Sequence, residues 1–144
     1  MTAMARLEKF QHFVAALAEL DDELRFEYLL DLAKKHKNDP FPPDAMDDDH
    51  LMHGCMSRVW MLHSVDGDGR HWFRGHSDGA IVNGLVHMMA ESFSGLTAAE
   101  LAALTIDQVR KLNLGAMTTQ RQVGMMAMLK HMQKLARQSE ATAR

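Results

Sequence analysis

The chain of 144 residues contains a single cysteine, so it cannot form an intramolecular disulfide. A free thiol is easiest to keep in a reducing compartment, which favours the cytoplasm. Positive charge is also scarce, because 16 Lys and Arg residues stand against 19 Asp and Glu residues. The chain therefore has no excess of positive charge to attract nucleic acid or an anionic membrane, and no apolar run approaches membrane-spanning length. We expect a cytoplasmic protein with a protein or small-molecule partner.

Several motifs that carry chemistry are missing as well. The sequence has no phosphate-cradling glycine motif, no oxyanion signature and no set of spaced metal ligands. His50, His53 and Cys55 could fold around zinc, but a structural zinc site needs four ligands and usually several cysteines. We therefore expect no bound metal and no cofactor of the chain's own.

Helical periodicity covers most of the chain. Its length and apolar content fit one compact domain over residues 1–144. Apolar spacing predicts a first helix over 7–20, a second from 21 to 37, a third from 78 to about 94, and a long final helix from Thr119. Three capping boxes predict further helix starts. They are Thr97 with Glu100, Thr105 with Gln108, and Thr119 with Gln122.

Strand signals occur in the middle of the chain. Three prolines and five aspartates lie in the segment 38–50, which predicts a loop. Two β-rich segments, 57–65 and 71–74, flank the turn sequence DGDG at 66–69 and predict an antiparallel hairpin. The resulting fold class is α+β, with a small antiparallel sheet, a hairpin with room for a third strand, packed against several helices.

The candidate reactive residue is Cys55, at the junction between the predicted loop and the first predicted strand. Only about 3% of an unperturbed cysteine is thiolate at pH 7, and the thiolate is the nucleophile. Arg58, His53 and His50 could raise that fraction by their positive charge, and Gly54 gives the backbone freedom to turn the sulfur outward. The alternative is an inert thiol buried in the core.

Three segments resemble the motifs of SufE-type sulfur acceptors. Residues 53–60, HGCMSRVW, resemble the GCxSxVW signature, and residues 75–85, GHSDGAIVNGL, resemble GxSDAxIVxGL. Residues 118–125, TTQRQVGM, resemble TxxRxxGL. The segments occur in the family's order, and the resemblance extends from about Phe10 to Leu135.

The resemblance implies a fold similar to IscU-type scaffolds and a role in sulfur transfer. A pyridoxal-phosphate cysteine desulfurase of the SufS/CsdA type would be the partner, and the PLP would belong to that partner. Cys55 matches the acceptor position, which receives persulfide sulfur and passes it to a downstream iron–sulfur scaffold. The protein would stimulate the desulfurase without being an enzyme itself, and its sulfur would be partly sheltered until docking.

The resemblance also assigns residues around Cys55 to loop positioning or to the desulfurase interface. Asp78 and Arg121 match family positions of this kind. Asp78 has an alternative role as a helix cap, and Arg121 as a solvated arginine. The remaining candidates are the neighbours of the cysteine, His53, Gly54, Met56 and Arg58.

Some residues depart from the family pattern. Met56 stands where Gln is usual, Gly79 replaces a common Ala, and Thr119 and Gln120 replace a Pro-Ser type pair. Met52 and Met56 would form an apolar rim suited to docking. The other histidines, His63, His71, His76 and His87, are expected to be surface or satisfied packing residues.

Two other functions are open from the residues alone. One is a thiol-nucleophile enzyme in which Cys55 is paired with a histidine and an acid for acyl transfer. The other is a binding module with a structural thiol, for which replacing Cys55 by serine would change nothing.

Overall fold

The computed structural model describes residues 7–35, 40–52, 57–112 and 119–143. Helices precede and follow a central group of strands, as expected for an α+β fold. In chain order the elements are α1 (Glu8–Ala18), α2 (Asp22–Lys35), a 3₁₀ turn (Pro43–Ala45), β1 (Leu51–Met52), β2 (Val59–Val65), β3 (Arg70–Ser77), α3 (Ala80–Phe93), β4 (Leu96–Thr97), α4 (Ala98–Ala102), α5 (Ile106–Arg110) and α6 (Thr119–Ala143).

The four strands form one antiparallel sheet in the order β1-β2-β3-β4. The predicted hairpin is confirmed as its centre, with Val59 opposite Ser77 and Val65 opposite His71. Gly69 lies in the turn with a φ of 76°, a left-handed conformation that glycine adopts without strain. Strand β3 is longer than the predicted 71–74 segment. Strands β1 and β4 add one strand at each edge of the sheet.

The inner face of the sheet packs against helices. Side chains alternate along each strand, so Met61 and Phe73 point to the same side, where both are buried. Helix α3 covers this face and α2 packs behind α3. A Cβ atom at Gly84 of α3 would overlap the backbone carbonyl of Leu29, so the glycine permits the two helices to approach closely.

The outer face of the sheet is covered in part by the proline-containing segment. Phe41 and Ala45 pack with Trp60 in a second, smaller core cluster, to which Leu51 and Leu62 contribute partly buried side chains. The segment predicted as a loop therefore contains a short 3₁₀ turn that packs on the sheet. Its packing places the residues that lead to β1 against β2.

The helix starts follow the predicted capping chemistry. Asp21 Oδ1 accepts the Leu24 N–H at 2.9 Å and so caps α2. Both Thr97 and Thr105 form complete capping boxes, and α6 begins at Thr119 as predicted, although the contacts of that third box lie outside the described residues. In the part of the chain that the structure describes, no helix is long and apolar enough to cross a bilayer.

Candidate functional site

The segment that carries the predicted acceptor cysteine joins β1 to β2. His53, Gly54, Cys55 and Met56 lie outside the described residues, so the predictions made for them stay predictions. The structure describes both flanks. Met52 is paired with Val59 across the antiparallel β1–β2 ladder, so the two flanks of the segment lie side by side at one end of the sheet.

Arg58 and Asp78 come together beside this segment. The Asp78 carboxylate accepts the Arg58 backbone N–H on Oδ1 at 3.2 Å and the Arg58 Nε–H on Oδ2 at 2.9 Å. The pair joins the residue that precedes β2 to the residue that follows β3. Sequence analysis placed both residues at the site but did not predict that they bind each other, because they are 20 positions apart.

The alternative role of Asp78 as a helix cap is wrong. The N-cap of α3 is Gly79, whose N–H is accepted by Ser77 Oγ at 3.2 Å, and no hydrogen bond joins the Asp78 carboxylate to the described residues of the helix. The Asp78 carboxylate is instead occupied by Arg58, and the hydrogen bond from Arg58 holds the Asp78 pKa below its ordinary value. The positive charge of Arg58 therefore has a carboxylate partner within the described part of the chain.

Gly79 allows the flank of the cysteine segment to pack onto the start of α3. A Cβ atom at this position would lie 2.8 Å from Ser57 Oγ, closer than side chains normally approach. The φ of Gly79 is −88°, so the glycine serves close contact and not an unusual backbone conformation. Ser57 is the first described residue after the cysteine, so the glycine at position 79 permits close packing of this flank.

A column of stacked side chains continues from Arg58 across the outer face of the sheet. The Arg58 guanidinium carbon lies 5.1 Å from the centre of the Trp60 ring, a cation–π distance. His76 stacks between Trp60 and Phe41, at centroid distances of 6.1 Å and 5.9 Å. Trp60 is 6% exposed, so the column links the exposed Arg58–Asp78 pair to the packed proline-containing segment.

Two residues expected near an exposed thiol have other roles. Met52, predicted to form part of an exposed apolar rim, is 3% exposed and belongs to the main core, because its side chain points to the inner face of the sheet. His50, considered as a nearby cation or zinc ligand, contacts Asp47 with its ring Nδ1 at 2.6 Å. The hydrogen bond from His50 lowers the pKa of Asp47.

Arg121 lies in the first turn of α6, as predicted, but its side-chain contacts lie outside the described residues. No group of three or more His, Cys, Asp or Glu side chains within 7–35, 40–52, 57–112 and 119–143 is arranged to hold a metal ion.

The pairing of two strand histidines was missed by sequence analysis. His63 Nε2 and His71 Nδ1 are 2.7 Å apart, their rings stack at 5.0 Å, and His71 is fully buried. His71 Nε2 has no hydrogen-bond partner among the described residues, and Glu140 Oε1 of α6 lies 3.7 Å from it. His63 and Glu140 lie against different nitrogens of His71, so the three side chains do not converge on one point as metal ligands would. The sequence signal that could have indicated this pairing is the alternation of side chains along a strand, which places both histidines on the same face of the hairpin as Phe73.

Comparison with known proteins identifies the family. The model of the SufE family, described as an Fe-S metabolism associated domain, matches residues 11–136. The chain belongs to the SufE family. A SufE-like protein of Rhizobium etli is 32% identical over 124 residues, which cover 82% of each chain. A second SufE-like protein, from Rhizobium meliloti, is 30% identical over 139 residues, covering 92% of this chain and 96% of the relative.

Two further similarities concern a named SufE-type protein and the fold. The sulfur acceptor protein CsdE of Escherichia coli is 44% identical over 50 residues, which are 35% of this chain and 34% of that protein. The solution structure of a hypothetical protein from Thermus thermophilus matches with a TM-score of 0.73 and 22% identity, covering 92% of this chain and 96% of the other. This structural match supports the α+β fold.

Proposed function

We propose that this SufE-family protein accepts persulfide sulfur on Cys55 from a pyridoxal-phosphate cysteine desulfurase of the SufS/CsdA type. The observation that carries the proposal is the family match over residues 11–136, which includes the segment around the chain's only cysteine. The similarity to the sulfur acceptor CsdE supports the same assignment. The accepted sulfur would pass to an iron–sulfur scaffold.

The transfer step is thiol–disulfide exchange chemistry. The Cys55 thiolate attacks the outer sulfur of the desulfurase persulfide, a new sulfur–sulfur bond forms on Cys55, and the desulfurase cysteine leaves as a thiolate. No electrons are gained or lost overall, so the step requires no redox cofactor. Removal of the persulfide returns the desulfurase to its starting state, and the acceptor therefore raises its turnover.

The Arg58–Asp78 pair suits a positioning role in this reaction. The two side chains are 66% and 43% exposed, and they hold the C-terminal flank of the cysteine segment against the start of α3. An exposed ion pair is held by little net free energy, so a docking protein can exchange its partners at low cost. Release of Arg58 from Asp78 would then move the adjacent cysteine segment toward the desulfurase.

The proposal is tested by incubating the protein with a desulfurase of this type and free cysteine, followed by intact-mass measurement under non-reducing conditions. We expect the mass of one added sulfur atom on the wild type and none on the Cys55→Ser variant. Alanine formation by the desulfurase should be faster with the wild type than with Cys55→Ser. An unmodified Cys55 during productive turnover would contradict the proposal.

A further inference from the structure

A cavity of about 520 Å³ lies between α2, the proline-containing segment, β3 and α3. This volume is within the range of small-molecule binding sites, roughly 300–1,000 Å³. Leu30 and Ala33 of α2 form one apolar wall, and Phe41 and Met46 form the facing wall. The cavity therefore offers an apolar surface to the body of a ligand.

The polar residues that line the cavity are all hydrogen-bond donors or potential cations. They are Lys34, Arg74, His76, Asn83 and His87, and none of the described Asp and Glu residues lines the cavity. This composition is the reverse of the chain as a whole, whose formal net charge is −3. A lining that contains two cationic side chains and none of the described carboxylates favours an anionic ligand.

Two of these donors are held in place by the surrounding backbone. Arg74 Nη2 donates to the Pro40 carbonyl at 2.8 Å, which fixes the guanidinium beside the proline-containing segment. Asn83 Oδ1 accepts the Ser77 N–H at 3.0 Å, so the NH₂ group of the Asn83 side chain is directed away from Ser77. This NH₂ group has no hydrogen-bond partner among the described residues. A preformed arrangement of donors reduces the ordering cost of binding.

The charge at the cavity comes from Lys34 and Arg74. Burial lowers the pKa of His76, so its ring favours the neutral form, and the ring stacks flat against Phe41. Lys34 is exposed at the mouth of the cavity. The cavity thus combines a cationic mouth with apolar walls and a neutral aromatic surface.

We propose that this cavity is a binding site for a small carboxylate with an apolar body. The carboxylate is bound by Lys34, the Arg74 guanidinium and the Asn83 amide, and the apolar body lies against Phe41 and the α2 wall. The groups that bind it do not include Cys55, and binding does not depend on sulfur transfer.

The test compares three probes with the same apolar chain, octanoate, 1-octanol and octylamine, each titrated into the full-length ¹⁵N-labelled protein. We expect octanoate to shift the amide resonances of the lining residues Phe41, Gly75 and Ala80 and to bind at least about tenfold more tightly than octanol, since hydrogen bonds to a charged group contribute about 1.5–3 kcal/mol. Equal affinity for octanol, preference for octylamine, or no shift of these amides would overturn the proposal.

Two neighbouring lysines provide a matched control. Lys34→Gln and Lys35→Gln remove the same charge from the last turn of α2, but only Lys34 lines the cavity. We expect octanoate binding to weaken in Lys34→Gln and to persist in Lys35→Gln. Equal weakening in both variants would show a general charge effect and would overturn the site. Ala33→Leu, which fills the α2 wall, should weaken binding of octanoate and octanol together, and unchanged binding would also contradict the site.

Discussion

The two ends of the β2–β3 hairpin each carry a side-chain pair that joins the strands, and the pairs differ in burial. At the end beside the cysteine segment, Arg58 and Asp78 form an ion pair with side chains 66% and 43% exposed. At the turn end, His63 and His71 form a hydrogen bond in which His71 is fully buried. The same hairpin therefore carries a solvent-exposed pair near one end and, near the other, a pair with one fully buried member that faces α6.

Because the two pairs differ in burial, they should contribute differently to the stability of the fold. An exposed ion pair contributes little net free energy and is weakened by salt, whereas a buried polar group is costly to leave without its partner. Removing a member of the histidine pair should therefore destabilise the fold, and removing a member of the ion pair should not. We therefore expect the ion pair to be easier to break than the contact between the two histidines.

Gly84→Ala should give the largest loss of stability, because α2 and α3 support both ends of the hairpin. The added Cβ would overlap the Leu29 backbone carbonyl, which cannot move without separating the helices. We expect a loss of about 3 kcal/mol in the free energy of unfolding. Gly67→Ala is the control, since no described atom lies within 4 Å of its Cβ position. Urea unfolding measures both, and comparable losses in the two variants would contradict the packing argument.

The two tryptophans allow each end to be followed separately in that experiment. Trp60 lies at the cysteine end and is 6% exposed, while Trp72 lies at the turn end and is 45% exposed. Single-tryptophan proteins, made with Trp72→Phe or Trp60→Phe, should show coincident transitions for Gly84→Ala if one helix layer supports both ends. Separate transitions would show that the ends unfold independently.

His71→Ala should cause the next largest loss, about 2 kcal/mol. The change leaves a cavity beneath α6 and removes the partner of the His63 ring. His12→Ala is the control, because His12 is an exposed residue of α1. Thermal and urea unfolding measure the difference. Equal stability of the two variants would show that the buried pair does not stabilise the turn end.

The features that could be predicted from sequence are those that local chemistry determines. The hairpin followed from strand segments around a glycine-rich turn, and the capping boxes at Thr97 and Thr105 followed from side-chain spacing alone. The two-residue strands β1 and β4 could not be found in this way, because they are too short to show periodicity and exist through pairing with β2 and β3.

The side-chain pairs depend on tertiary geometry and were not predictable from spacing. The bond between Arg58 and Asp78 requires both the hairpin register and the direction in which the chain leaves β3. The burial of His71 requires α6, which begins only at Thr119, far along the chain. For the acceptor segment, the resemblance to the family indicated Cys55, and the structure shows how the two flanks of the segment are held.

Acid should reduce the stability of the turn end between pH 7.5 and 5.5. Burial, followed by the nearby His71 and His131, lowers the pKa of His63 below its ordinary 6.5. The unfolded chain therefore binds this proton more readily, so the stability is complete above about pH 6.5 and is lost as the pH falls toward the folded pKa. The Glu140 carboxylate of α6 is half exposed and lies 3.7 Å from His71 Nε2.

The acid effect is measured as the free energy of unfolding at the two pH values. The slope should be well below the limit of about 1.4 kcal/mol per pH unit for one proton, because His63 is only partly buried. His63→Gln should reduce the slope and His12→Gln should not. His76, whose pKa is also lowered, accounts for part of the slope that remains in His63→Gln. Asp47, Asp66 and Asp78 have lowered pKa values and titrate below this window. If the pH dependence of the free energy of unfolding is unchanged in His63→Gln, the histidine pair is not the cause of the acid effect.

Arg58→Gln and Asp78→Asn should have the smallest effect on stability, with urea midpoints close to that of the wild type, since both side chains are solvated. Their effect should instead fall on sulfur acceptance, because the cysteine segment loses the anchor of its C-terminal flank. We expect the initial rate of persulfide formation on Cys55 to fall by about tenfold or more, with Arg110→Gln, which breaks the exposed ion pair with Asp107, as the control. Lower stability with an unchanged rate would reverse the assignment and place the cysteine end, like the turn end, among the structural parts of the hairpin.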